Sequence, residues 1–250
     1  MKKILLIMIM AAFAVACSKQ QTTTAFLDPA GDCIFENSVV RYRINGPSNP
    51  VVTSGMEAIL KAHDKKEVVL KDRKAAQAAS LNDGGSAVIL NDSLVFAQAN
   101  FSSFEIVEQT KDLVSFKLTY PQWEVDGNKI SLVRTVILRE TSVYCEVKDV
   151  YSNEAGSTPV IVVAGFAKNS VENSEIGPDY VVDWENIGDG YIGKGIVMPM
   201  SKNFAVDGPQ DNAVAYITTK WGRPVEYAVG NCWSRGELTT FESWADKVRL

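Results

Sequence analysis

The chain has a single histidine, His63, among its 250 residues. A metal centre built on several imidazoles is thereby excluded, and a Ser-His-Asp arrangement would have to pass through that one ring. His63 lies in the charged run KAHDKKE, a pattern typical of solvated surface. Lysine and arginine form no extended basic run and the net charge is −5. Binding to a phosphate backbone has no footing here, and nucleic acid is not an expected partner. Cysteines are few: Cys17, Cys33, Cys145 and Cys232, too widely spaced for the CxxC pairs of a zinc site. The glycines at 188, 190, 193 and 195 precede no GK[ST], and DGPQDN lacks the alternating acids of an EF-hand loop. No metal and no cofactor is expected.

Also missing is an apolar run long enough to cross a bilayer. The longest, residues 4–15, follows Lys2 and Lys3 and falls short of the ~20 residues a spanning helix needs. With small Ala16 behind it, it reads as a secretory signal. The segment Ala14-Val15-Ala16-Cys17 resembles a bacterial lipobox, in which the cysteine becomes the lipidated first residue of the mature chain. Lipidation at Cys17 would anchor the protein to a membrane. Ser18 after it resembles an outer-membrane sorting signal of Gram-negative bacteria. The following SKQQTTT is polar and small, as a flexible tether would be. The expected organisation is residues 1–16 as signal peptide, 17–30 as tether and 31–250 as one domain. With Cys17 set aside, three cysteines remain, so at most one disulfide can form. Packing is the expected role of each.

What the chain does have is β-structure. FENSVVRYRI, SAVILNDSLVFAQ, SFEIVEQTKDLVSFKLTY, ISLVRTVILRE, SVYCEVKDVYS, PVIVVAGF, KGIVMPM, NAVAYITT and VEYAVGNCW alternate β-branched or aromatic residues with polar ones. Asp126-Gly127 is a hairpin turn, because glycine accepts the positive φ of a primed turn, and Asn91-Asp92 is a looser break of the same kind. Short strands joined by short turns predict an all-β antiparallel sandwich. MEAILKAHDKK and DRKAAQAAS have helical propensity, and both helix and exposed loop stay open for them. Near the end, Thr239 and Glu242 form a capping box, and Phe241, Trp244 and Val248 fall on one helical face. A short C-terminal helix should dock on an edge or end of the sandwich, which makes Trp233 and Trp244 packing residues.

The segment DYVVDWENIGDGYIGKG gathers carboxylates with aromatic rings. Asp183 and Glu185 are the catalytic candidates, and Trp184, Tyr191 and Asp189 could hold a sugar by stacking and hydroxyl hydrogen bonds. The competing reading is a glycine-rich hairpin with exposed acids.

Several stretches carry a family resemblance. Phe35-Glu36-Asn37 through Tyr42-Arg43-Ile44-Asn45-Gly46-Pro47, then Gly84-Gly85 before a strand, the block FEIVEQTKDLVSFKLTYPQWEVDGNKISLVRTV, and the ending with Gly230, Trp233-Ser234, Gly236 and Trp244 follow one another in order. Together they resemble the domain-of-unknown-function family DUF4861 of secreted bacterial proteins associated with polysaccharide degradation. The resemblance implies a sandwich of the galactose-mutarotase type. By analogy with such sites His63 would be the acid/base, helped by Asp64 and by Asp183 or Glu185. The family pattern carries an aromatic- and glycine-containing stretch ahead of the glycine pair. Here HDKKEVVLKDRKAAQAASLNDGG keeps the His-Asp and the Gly-Gly and loses what lies between.

Two functions follow. One is a lipid-anchored envelope protein that binds or processes saccharide, as a hydrolase, lyase or epimerase if it is an enzyme. The other is a non-catalytic envelope lipoprotein that contacts a protein partner.

Overall fold

The computed structural model describes residues 23–61, 67–68, 79–154, 156–169 and 171–249. Cys17 with its leader, His63 and Asp64 lie outside the described residues. The strands in chain order are β1 (Thr24–Leu27), β2 (Cys33–Glu36), β3 (Arg41–Ile44), β4 (Glu57–Lys61), β5 (Glu67–Val68), β6 (Gly85–Leu90), β7 (Ser93–Val95), β8 (Ser103–Gln109) and β9 (Leu113–Val125). They continue as β10 (Asn128–Arg139), β11 (Tyr144–Asn153), β12 (Pro159–Ala167), β13 (Val171–Ile176), β14 (Tyr180–Asn186), β15 (Tyr191–Val197), β16 (Asn203–Gly208), β17 (Asn212–Lys220) and β18 (Pro224–Trp233), followed by α1 (Phe241–Val248).

Three antiparallel sheets result. The largest runs β13-β14-β15-β18-β11-β10-β9-β8, and two five-stranded sheets run β1-β2-β3-β4-β5 and β16-β17-β12-β6-β7. Asp126 and Gly127 both take positive φ in the β9–β10 turn. Asn91-Asp92 and Gln210-Asp211 make turns of the same hand, so the break at Asn91 is as tight as the one at Asp126. Pro121 sits in β9 where the register with β10 slips between Ile130 and Leu132, a bulge that accommodates a residue without an N–H.

Strand alternation sends one face of the eight-stranded sheet inward. Phe116, Leu132, Val136, Val147, Val229 and Ile196 meet Phe35, Tyr42 and Ile44 from the first sheet and Val88, Val162 and Ala213 from the third in one buried cluster. Both five-stranded sheets therefore cover the same face, and the molecule is an all-β sandwich. Phe35 joins two of the layers by stacking on Tyr42 at 5.1 Å between centroids and tilting against Phe116 at 5.0 Å.

At the centre of that core lies an ion pair. Arg134 and Asp149 face each other across β10 and β11, with Nε to Oδ1 and Nη2 to Oδ2 both 2.8 Å. Tyr227 OH donates to Asp149 at 2.8 Å, and Ser86 Oγ contacts Tyr151 OH at 2.7 Å and also donates to Asp149. Arg134 donates further to the Ser54 carbonyl. Ser86 belongs to the third sheet, so the network ties it to the eight-stranded one. Burial works against the Arg134 charge, but Asp149 and the tyrosines around it outweigh that and hold the guanidinium protonated.

The opposite face of the eight-stranded sheet carries α1. Thr240 caps it, accepting the Ser243 N–H at 3.2 Å, with Ser243 Oγ answering the Thr240 N–H. The box thus lies one residue beyond the Thr239–Glu242 pair expected, since Ser243 serves as the reciprocal partner. Trp244 is fully buried and its indole N–H donates to Lys194 O at 3.2 Å. It lies over three glycines: a Cβ on Gly193, Gly195 or Gly230 would come within 2.8, 3.1 and 2.9 Å of its ring. The helix therefore sits on the sheet face over β14 and β15 rather than at an edge or end. Gly193 and Gly195 of β15 and Gly230 of β18 leave the space that the indole fills.

Two other expectations change. Residues 57–61 form β4, paired with β3, because a neighbouring strand's hydrogen bonds override local helical preference. Thr24–Leu27, placed in the tether, pairs with β2, so the sheet begins ahead of residue 31.

Candidate functional site

The sequence candidates of the β14–β15 hairpin do not converge. Alternation along β14 points Asp183 and Glu185 into the sandwich, at 0% and 3% exposure, and Trp184 to the helix side, at 4%. Tyr191 stacks on Trp184 there, 5.7 Å between centroids and 10° between planes. Asp189 stays at the turn, ion-paired with Arg235, with its carbonyl accepting the Trp233 indole N–H at 3.0 Å. The hairpin of the competing reading is present, but Asp183 and Glu185 are not exposed on it.

Inside, Lys194 stands opposite Asp183 in the β14–β15 register and forms an ion pair with Glu185. Its ammonium also donates to Ala167 O at 2.6 Å and lies 5.6 Å from the Phe166 ring centroid. Among the described residues no donor reaches either Asp183 oxygen at good hydrogen-bond geometry, the Ser174 hydroxyl on the paired strand being the nearby one. Burial pushes the Asp183 carboxyl above its ordinary range, with the Ser174 hydroxyl and Lys194 pulling the other way. In this enclosure neither carboxylate can meet a glycosidic oxygen. The arrangement is a buried charge cluster that lies between the sheets.

An open cleft lies nearby, at the seam where the first sheet meets the end of β18 and α1. It encloses 410 Å³, within the range that holds small ligands. Its walls come from the β2–β3 turn, β4, the β10–β11 turn, β18 and the helix. Asn37 builds the rim: Oδ1 accepts the N–H groups of Val39 and Val40 at 2.8 Å, and Nδ2 reaches Arg139 O at 2.6 Å and Ser142 O at 2.8 Å.

Beside that rim Arg41 and Lys61 line the cleft and share one carboxylate. Arg41 Nε and Lys61 Nζ both donate to Glu36 Oε2 at 2.9 Å, and Lys61 donates again to Asn37 O at 2.7 Å. Burial pushes the Glu36 carboxyl up, but hydrogen bonds from Arg41 and Lys61 outweigh it and hold the group below the usual range. Across the cleft are Lys247 of α1 and the exposed Glu237, the one carboxylate among the described lining residues. Asn231 forms part of the wall. Its Nδ2 donates to Asp83 O at 3.3 Å, and its side chain is buried beside Tyr42. Val39, Val40, Val143 and Leu238 supply apolar surface.

Sequence reasoning did not single out this cleft, since its residues come from both ends of the chain. Arg134 and Asp149 were legible in principle, as each occupies an inward place in an alternating run, Ile130-x-Leu132-x-Arg134 and Cys145-x-Val147-x-Asp149. Cys33, Cys145 and Cys232 are free, and burial raises all three thiols, Cys145 to about 12. Cys145 points at Met56, sulfur to sulfur 3.8 Å, in a packing role.

A search of the solved structures matches this chain to one titled heparinase III, with 12% identity and a TM-score of 0.45, over 86% of this chain and 36% of that one. The chain thus spans about a third of that protein's length. No curated protein matches. Residues 78–249 match the model of a domain of unknown function, DUF4861. That match takes in both long central hairpins, the β18 end of the cleft and the glycine-seated helix, and the chain belongs to the DUF4861 family.

Proposed function

We propose that this protein is a saccharide-binding component of the bacterial cell envelope, held to a membrane by lipid on Cys17, with the cleft between β3, β4, β18 and α1 as its binding site. The observation that carries the reading is the cleft itself. Its volume suits a sugar ring or two, and its walls pair the aliphatic surface of Val39, Val143 and Leu238 with the fixed donors of Arg41 and Lys61. Two of the stretches that carry the family resemblance, Phe35-Glu36-Asn37 and the run from Gly230 to Gly236, meet at its rim.

Binding rather than hydrolysis is the assigned role. Cleavage of a glycosidic bond by the usual route uses two carboxyl groups flanking that bond, and the described part of this cleft offers Glu237 alone.

The test is thermal unfolding of the full chain against a panel of neutral and acidic oligosaccharides. A ligand bound only by the folded state stabilises it by about 2.7 kcal/mol at a hundredfold excess over its dissociation constant. An upward shift of the midpoint with at least one sugar supports the reading. A flat response across the panel overturns it and moves the assignment to an envelope protein that contacts another protein.

A further inference from the structure

We propose that the exposed apolar side chains of β1 and β8 form the face on which the protein rests against the bilayer that holds its anchor. The inference rests on the lipid at Cys17 in the reading above, and adds to it a contact surface and an orientation.

Exposed apolar residues are unevenly placed on this molecule. Seven large hydrophobic side chains are exposed among the described residues, and four of them, Phe26, Leu27, Ile106 and Val107, lie on these two strands. The strands are neighbours. Thr23 Oγ1 lies 3.3 Å from Lys111 O and the Ala25 N–H donates to Gln109 Oε1 at 3.3 Å, so β1 runs antiparallel beside β8 and Leu27 comes level with the middle of it. There the register with β9 slips between Ile106 and Glu108. The bulge interrupts the alternation that would send Ile106 and Val107 to opposite faces, and Val107 is 59% exposed. An edge strand with apolar side chains open to water marks a surface that something covers.

What covers it follows from where the anchor joins. Thr23 is buried and its hydroxyl donates to Glu140 Oε2 at 2.5 Å beside Lys111 O, so the chain enters the domain at the β8–β9 turn. Five residues separate Thr23 from Cys17. Fully extended, that stretch reaches about 20 Å. Lipid on Cys17 therefore keeps this corner of the domain beside the headgroups. Four side chains are too few to hold a domain on a membrane, but a short tether turns their contact into an intramolecular one at high effective concentration. The charges suit a zwitterionic surface. Along β8 and its turn Glu105 pairs with Lys117 and Asp112 with Lys111 at 4.0 Å, which leaves Glu108 as the one acid there without an ion pair among the described residues.

The test uses the lipidated full chain in vesicles of phosphatidylcholine and phosphatidylethanolamine. Val107→Cys carries a nitroxide on the proposed face, and Ile176→Cys carries one as the control, exposed on β13 at the opposite edge of the same sheet. Burial raises the native thiols Cys33, Cys145 and Cys232, so they label slowly, and the parent measures their background. At Val107, collisions with a water-soluble nickel chelate should be lost and collisions with oxygen, which concentrates in the bilayer, should rise relative to the same label on the unanchored Cys17→Ala chain. At Ile176 the anchored and unanchored chains should agree. A Val107 label as open to the chelate on vesicles as in the unanchored chain overturns the face and leaves the anchor standing. Dipolar broadening at Val107 that fades as the protein is diluted in lipid assigns the edge to a second copy and also overturns it. The mass of the mature chain reads the anchor separately: a chain without lipid removes the anchor reading and this inference with it.

Discussion

Asp183 shows how far a residue's chemistry depends on which face of a strand it occupies. Its carboxyl is held up by burial, so the folded state binds the proton more tightly than the unfolded chain does. The stabilising contribution is present below the ordinary carboxyl pKa and is lost as pH rises from there through the folded value. Asp183→Asn should therefore flatten that acid-range slope and be at least as stable as the parent near neutrality. Urea unfolding from about pH 4 to about pH 7 measures it. A variant less stable than the parent at neutral pH, with the slope unchanged, would show that the ionised carboxylate is stabilising where it lies.

Arg134 makes the opposite prediction, since its partner would be abandoned. Arg134→Met leaves Asp149 charged at 0% exposure and should cost about 3–5 kcal/mol in denaturant unfolding. Replacing both residues, Arg134→Met with Asp149→Leu, should recover much of that loss, because no uncompensated charge remains.

Among the elements, α1 and the glycine bed beneath it form the clearest unit. An isolated eight-residue helix is not stable in water, so this one exists because Trp244, Ala245 and Val248 are buried. Trp244→Ala should cost about 3–5 kcal/mol. Gly193→Ala, which strand propensity alone would favour, should destabilise, since its methyl would sit 2.8 Å from the Trp244 ring and 2.6 Å from Cys232 Sγ. In a Trp244→Ala background part of that penalty should disappear, and a double-mutant cycle reads the coupling. The three glycines are visible in the sequence without their reason. Nothing local to Gly193 and Gly195 says that a residue some 50 positions later fills the space above them. The capping pair was legible to within one residue, because the adjacent Thr239 and Thr240 can each take the cap.

Across the whole molecule, the Arg134 network joins the eight-stranded sheet to Ser86 in the third sheet and to Ser54 in the β3–β4 connection of the first. Calorimetry should accordingly show one cooperative transition and not the separate melting of a five-stranded sheet. The proposed anchor is testable at the same scale: Cys17→Ala should shift the protein out of the membrane fraction while leaving that transition in place.

The sequence by itself determined the class of the fold and the hairpins, because alternation of side chains and positive-φ turns are local properties of the chain. It also determined which residues share a face: Asp183 with Glu185, Trp184 opposite them, Arg134 in line with Leu132 and Val136. Only the tertiary structure decided which of the two faces is sealed, because a sheet has two and period-two alternation treats them alike. That choice placed the hairpin's acids between the sheets, its aromatics under a helix, and the open cleft at a seam between residues near 40 and residues near 240. The cleft was beyond local pattern for a physical reason: it is made by the packing of distant segments, and no single stretch of this chain contains it.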